Sequence, residues 1–252
     1  MVYKSLTEVP HNLKEGIDWL VALRGDDCRS HMESIAAALY DLLADKPIGL
    51  TKVPALEEVK VITKEFMERK HINNQEFVQT LLRRFNGPMD KTNIHFKRFM
   101  HKNDGDYDNI IKLKRLSPES MARFLGLVVY GCDKFLKHMK IPDEYKSAYS
   151  SEATWEASCA EDPEACAVVL VGIAPMLYTG LRSLKDASDE ANKDPSNGET
   201  RTRLRKVLRA VGYRRSKRRA NISVSFMSKA LSDVDKDVLD ILYDFAGFWA
   251  FY

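Results

Sequence analysis

The side chains in this sequence that could do chemistry are four cysteines, six histidines and a dense run of cations. A cysteine beside a histidine can serve as nucleophile and base. Cysteines or histidines at short fixed spacing can hold zinc. Neither arrangement is written here. Cys28, Cys132, Cys159 and Cys166 have no C-x-x-C spacing. His11, His31, His71, His95, His101 and His138 include no i, i+4 pair that could clasp a metal from one helix face. GxGxxG, P-loop, HExxH, GxSxG and EF-hand patterns are absent. Acidic pairs such as Asp26-Asp27 and Glu57-Glu58 read as exposed helix ends. The expectation is therefore no enzyme, with no catalytic residues, no metal, no cofactor and no small-molecule substrate.

Two cysteines stand apart. Cys159 and Cys166 bracket "AEDPEA", one in the lead-in and one in the first turn of a predicted helix. A bridge there would pin the lead-in against the helix start and contribute roughly 2–3 kcal/mol through chain entropy. The alternative is two buried free thiols. Cys28 and Cys132 either pair with each other or serve as small apolar residues. "NIS" at Asn221 fits a glycosylation acceptor, though so short a pattern arises readily by chance.

The cations are concentrated. Between Arg201 and Arg219 lie ten Lys/Arg and no acid, which leaves 29 cations against 36 acids, a net of −7, in the rest of the 252 residues. The chain is an acidic body carrying one basic segment, not a globally basic nucleic-acid protein. Within that segment Leu204, Val207, Leu208 and Val211 make an apolar stripe at helical spacing, with Arg201, Arg205, Lys206 and Arg209 away from it. This predicts a core-packed helix with a basic outer face, ended by Gly212. Arg214, Arg215, Lys217, Arg218 and Arg219 then form a loop. A solvated, partly acid-paired surface is favoured over a dedicated polyanion site.

The elements that must position these side chains are helical throughout. Leu13, Ile17, Leu20 and Val21 recur at i, i+4, i+7 and i+8 before Gly25. Met32 to Leu43 and Val59 to Phe66 continue the pattern, as does Phe77 to Phe85, with Gly or Pro at the breaks. Ser117-Pro118 and Asp162-Pro163 read as starts of two long helices, a cap followed by proline in the first turn. The second is apolar on most sides and predicts a central helix kinked at Pro175. Its uncharged run, Ala165 to Leu181, is shorter than the ~20 residues a membrane span needs, so no transmembrane segment is expected. The polar stretch Asp186 to Glu199 predicts an acidic surface loop. "SDVD" at Ser232 to Asp235 resembles a capping box, and the aromatic ending "DFAGFWAFY" must dock into the core. Together these predict an all-α single domain spanning 1–252, a bundle of roughly eight to ten helices of ordinary length. No apolar leader opens the chain.

Three blocks are also recognisable. "YKSLTEVPHNLKEGIDWLVALRG" (Tyr3 to Gly25), "IPDEYKSAYSSEATWEASCAEDPEACAVVLVGIAPMLYTGLRSL" (Ile141 to Leu184) and "LSDVDKDVLDILYDFAGFWAFY" (Leu231 to Tyr252) resemble the Babesia secreted antigen family. The "NLKEGIDW" piece of the first block and "EATWEASC…CAVVLVGIAPMLYTGL" of the middle block are also similar to the variant erythrocyte surface antigens of those parasites. The resemblance runs nearly end to end. It implies a secreted, non-enzymatic product of a multigene family, in mature form without its signal peptide, placed at the infected red cell or outside it. It implies no catalytic residues. The secretory context favours the Cys159–Cys166 bridge over two thiols. At "RRSKRR" the chain departs from the family, whose members are less basic there and sometimes carry a cysteine. The functional expectation is binding to a host or parasite protein, with an anionic surface engaged by the 201–219 segment as the alternative.

Overall fold

The computed structural model describes residues 2–87, 89, 104–194, 196–213 and 223–252. It is an all-α bundle with no strand among those residues and nine helices of seven or more residues. The one extended contact among the described residues is an isolated parallel bridge between Tyr3 and Tyr149.

Helix α1 spans Leu13–Arg24. Asn12 Oδ1 accepts from the Glu15 amide, while the Glu15 carboxylate reaches back to Asn12 Nδ2 and the His11 amide. One of the free donors at the helix start, the Glu15 amide, is satisfied in this way, and the Lys14 amide bonds the Val211 carbonyl. Gly25 ends it at φ 53°, a left-handed conformation that glycine adopts without a Cβ penalty. Then follow α2 (Cys28–Ala44), α3 (Pro54–Met67), α4 (Glu76–Asn86), a 3-10 turn at Asp104–Asp106 and the short α5 (Ile110–Leu113). Helix α6 (Pro118–Met139) begins as its sequence predicts. Ser117 and Ser120 exchange side-chain-to-backbone hydrogen bonds, and Pro118 occupies the first turn.

After α7 (Trp155–Ser158) comes the axis of the molecule, α8 (Pro163–Lys193), 31 residues capped by the Asp162 side chain. Helices α1, α2 and α3 pack along it, and so do α9 (Gly198–Ala210), α10 (Val224–Ala230) and α11 (Lys236–Phe245). By length and composition α8 could cross a membrane, which the shorter uncharged run did not suggest. Within the fold, 89% of its most apolar window is buried by these neighbours. The helix runs unbroken through Pro175. This proline leaves the Val171 carbonyl without its helical donor, and one residue on the Gly172 carbonyl accepts from Thr63 Oγ1 of α3 at 2.7 Å.

Close approach explains the small residues of α8. A Cβ at Gly172 would lie 2.3 Å from Val59 Cγ1. Gly180 and Gly16 interlock likewise, the first against Leu13 and the second against Leu177, so α1 crosses α8 at near-backbone distance.

Two expectations are corrected. Asp186 to Glu199 is not a loop: α8 continues to Lys193 and α9 starts at Gly198. Ala187, Ser188 and Ala191 are buried, so the stripe holding the helix down is made of small residues and does not announce itself as apolar. Ser188 and Asn192 hydrogen-bond Ser228 of α10, and Asp189 faces solvent. Pro195 lies outside the described residues. The start of α11 is capped by Asp235, which accepts from the Val238 amide at 3.0 Å, and not by Ser232.

The aromatic ending docks as predicted. After α11 the chain turns at Gly247 into α12 (Phe248–Phe251), and Phe248, Trp249, Phe251 and Tyr252 are all buried. Its last carbonyls would be orphans in a core. Gly49 and Thr51 amides bond the carbonyls of Trp249 and Ala250, and Lys60 Nζ bonds that of Phe251.

Candidate binding cleft

The central helix changes character along its length. From Cys166 to Leu181 it is buried; beyond that, Arg182 and Asp186 continue the line of Tyr178 at i+4 and i+8 and reach the surface. Facing them, Phe77, Thr80, Leu81 and Arg84 occupy one side of α4, again at helical spacing. Tyr243 of α11 supplies the floor and Arg203 of α9 closes one end. The walls enclose a cleft of about 700 Å³. A second hollow of about 600 Å³ adjoins it, sharing Asn74 and Arg203 and lined also by His71, Thr202 and Lys206.

The cations of the larger cleft are held by partners. Arg84 donates to Asp106 Oδ2 at 2.6 Å and to the Tyr243 hydroxyl, which in turn donates to Asp106 Oδ1 at 2.5 Å. This triad is buried and ties the 3-10 turn to α4 and α11. Burial pulls the Arg84 guanidinium down, but Tyr243 and Asp106 outweigh it and hold it above the usual value. Arg182 lies 4.1 Å from the Phe77 ring centroid and donates to the Tyr178 hydroxyl at 2.5 Å. Its Nε is 3.7 Å from Asp186, whose carboxyl is raised above the ordinary range by burial despite that neighbour. Arg203 pairs with Glu190.

His71 differs from these. It sits at φ 75°, in the left-handed region that few non-glycine residues adopt. Its imidazole pKa is lowered by burial first and then by the charges of Lys206 and Lys70. The smaller hollow is lined by both signs of charge, Lys206 and Arg203 beside Glu199.

The residues singled out from the sequence fall in three places. Cys159 and Cys166 are joined in a disulfide with Cα atoms 5.9 Å apart, both buried, clasping the end of α7 to the first turns of α8. Cys28 is exposed at the start of α2 and Cys132 is buried on α6, so the two do not pair. Burial, and then Asp133, pushes the Cys132 thiol up to about 12, so it behaves as a small apolar residue. Arg201 and Arg209 are exposed on α9, and Arg205 folds back on the helix to bond the Arg201 carbonyl and Thr202. Arg214, Arg215, Lys217, Arg218, Arg219 and Asn221 lie outside the described residues, as do His95 and His101. Among the described residues no three His, Cys, Asp or Glu side chains gather as metal ligands would. His31 is structural. Its ring bridges the Arg24 carbonyl and Glu156, stacked 5.5 Å from Trp155.

Sequence reasoning missed the cleft. Arg203 and Lys206 belong to the basic run, but Arg182, Phe77, Tyr178 and His71 come from distant segments. The Tyr178, Arg182, Asp186 spacing was the available signal, and it was masked by reading residues from 186 onward as loop. Compared with known proteins, no family model matches the chain, and no curated protein and no solved structure matches it.

Proposed function

We propose that this chain is a secreted, non-enzymatic binding protein of the Babesia antigen type, acting at the host red-cell or parasite surface through the cleft between α4, α8 and α9. The observation that carries this reading is the Cys159–Cys166 clasp. Disulfides form and persist in oxidising compartments, and this one lies in the middle of the block on which the resemblance rests. It fixes the start of the helix whose far half forms one wall of the cleft. The cleft is preformed: Arg84, Arg182 and Arg203 are each held by named partners, so a ligand would meet oriented donors at low ordering cost. Proximity labelling in infected red cells tests the setting. Labelled host or parasite surface proteins are expected, and label confined to the parasite nucleus would contradict it.

A second reading keeps the basic segment as the contact for a polyanion. The exposure of Arg201, Lys206 and Arg209 along one face of α9 favours it. Counterion release would make such binding fall steeply with salt. Replacing Arg214, Arg215, Lys217, Arg218 and Arg219 by Ser would abolish it, whereas a flat salt response would discard it.

A further inference from the structure

From the outer face of α6 we infer a self-association surface: two copies of this chain pair through α6, antiparallel about a two-fold axis that passes between Gly126 and Leu127. This surface lies apart from the cleft and the hollow, none of whose lining residues comes from α6.

The argument begins with a glycine that the fold does not explain. Glycine inside a helix costs stability relative to alanine. Gly131 of α6 has a packing reason, since a Cβ there would lie 2.6 Å from the Asp233 carbonyl oxygen. Gly126 of the same helix has none within the chain: a Cβ would meet nothing within 4 Å. Beside it stand two large apolar side chains turned to solvent, Leu127 at 50% exposure and Tyr130 at 52%. The opposite face of α6 already packs the helix against the core through Leu125, Val128, Val129 and Cys132. Arg123, on the outer face, is exposed and has no ion pair among the described residues.

The ridge is its own complement. At helical spacing Glu119, Arg123, Gly126, Leu127, Tyr130 and Lys134 fall within about 100° of one another around α6. An antiparallel copy turned about the axis brings Arg123 level with Tyr130 of the second copy and Glu119 level with its Lys134. Each pair occurs twice, as an isologous contact requires. Leu127 packs on its own counterpart, and the missing Cβ at Gly126 lets the two backbones approach. A guanidinium sits well on a tyrosine face. Lys134 Nζ is 5.2 Å from the ring centroid of its own Tyr130, which leaves the other face of the ring to the arginine. Hydrogen bonds from Ser117 and from its own amide hold the Glu119 carboxyl below the ordinary range; the ionised group keeps further acceptor sites for Lys134. Lys137 pairs with Asp133 on its own chain and takes no part. Any other partner would have to present this sequence of charges in reverse, whereas a second copy supplies it by symmetry. The contact is one helix wide, at the low end of interface sizes, so a dissociation constant on the order of 10 µM is expected. The dimer carries two clefts, which raises avidity on a surface bearing many copies of a receptor.

The test is sedimentation velocity of the disulfide-intact chain over a concentration series that spans this range, where a monomer–dimer equilibrium is expected. Gly126→Gln adds a side chain where the fold has open space and replaces glycine by a better helix former. The monomer therefore keeps its fold while the dimer weakens about tenfold or more. Glu119→Lys and Lys134→Glu each set like charges opposite one another twice, and each is expected to weaken self-association about tenfold. Mixed in equal amounts, these two variants recover it, because each then meets the opposite charge at both pairs. A wild type that stays monomeric at every concentration overturns the inference. So does a dimer that Gly126→Gln leaves intact, or a mixture that fails to recover, because the contact would then lie on another face. A monomer that binds phosphatidylserine vesicles and is released by Leu127→Ser would assign the ridge to a lipid surface and overturn it as well. The cleft is a separate matter: monomeric protein that still binds red cells leaves the proposed function standing, and a dimer that binds no red cell leaves this inference standing.

Discussion

The two halves of helix α8 obey different rules. From Cys166 to Leu181 every residue is buried, the neighbours approach to glycine distance, and a disulfide holds the first turns. From Arg182 to Lys193 the helix is held by Leu184 and then by Ala and Ser on one side, and presents Arg182 and Asp186 to a cleft on the other. The first half is specified by what cannot be added to it. The second presents charged side chains held by neighbours, Arg182 by Tyr178 and Asp186. A long core helix thus supplies one wall of a surface cleft, and a disulfide clasps its opposite end.

If that contrast is right, the largest single loss comes from the charged side of the cleft. Asp106→Ala leaves Arg84 buried without its counterion and is expected to cost ~3–5 kcal/mol in urea unfolding. A loss below 1 kcal/mol would mean that water reaches Arg84 and the wall is soft. Next comes the clasp. Replacing both Cys159 and Cys166 by Ser is expected to lower stability by roughly 2–3 kcal/mol, since the bridge closes a short loop with a sequence separation of 7. An unchanged urea midpoint would separate the clasp from the stability of the helix.

Gly172→Ala probes the apolar half. The new methyl would meet Val59 at 2.3 Å, and the overpacking is expected to cost about 1–3 kcal/mol after the helix preference of alanine is allowed for. A stabilised variant would show that α3 can retreat and that the crossing is not tight. Smallest is Arg203→Ala. Its pair with Glu190 is partly exposed, so stability should fall by less than about 1 kcal/mol while ligand binding at the cleft is lost. A large stability loss there would make Arg203 a structural residue and remove it from the site.

The contrast also explains what the sequence could disclose. The apolar half was legible because its residues are large and periodic and its start carries Asp162-Pro163. The helix start at Ser117 follows from local hydrogen bonding, which neighbours in sequence determine, although Asp235 shows that the choice among adjacent capping residues is settled by the approach of the chain. The polar half was misread because its buried stripe consists of Ala187, Ser188 and Ala191, small side chains that bury little area each and carry no strong pattern. The cleft was illegible for a different reason. It joins residues near 71–84, 178–186, 203–206 and 243, and only packing brings them together. The left-handed backbone of His71 had no marker, because glycine or asparagine would have been the expected occupant.

The account's central claim, a secreted protein that binds through this cleft, is tested most directly by flow cytometry of fluorescently labelled, disulfide-intact protein on infected and uninfected red cells, beside Arg203→Glu. Saturable binding by the wild type that disappears in a folded Arg203→Glu is the predicted result. Absence of wild-type binding to either cell, or equal binding by both proteins, would contradict it.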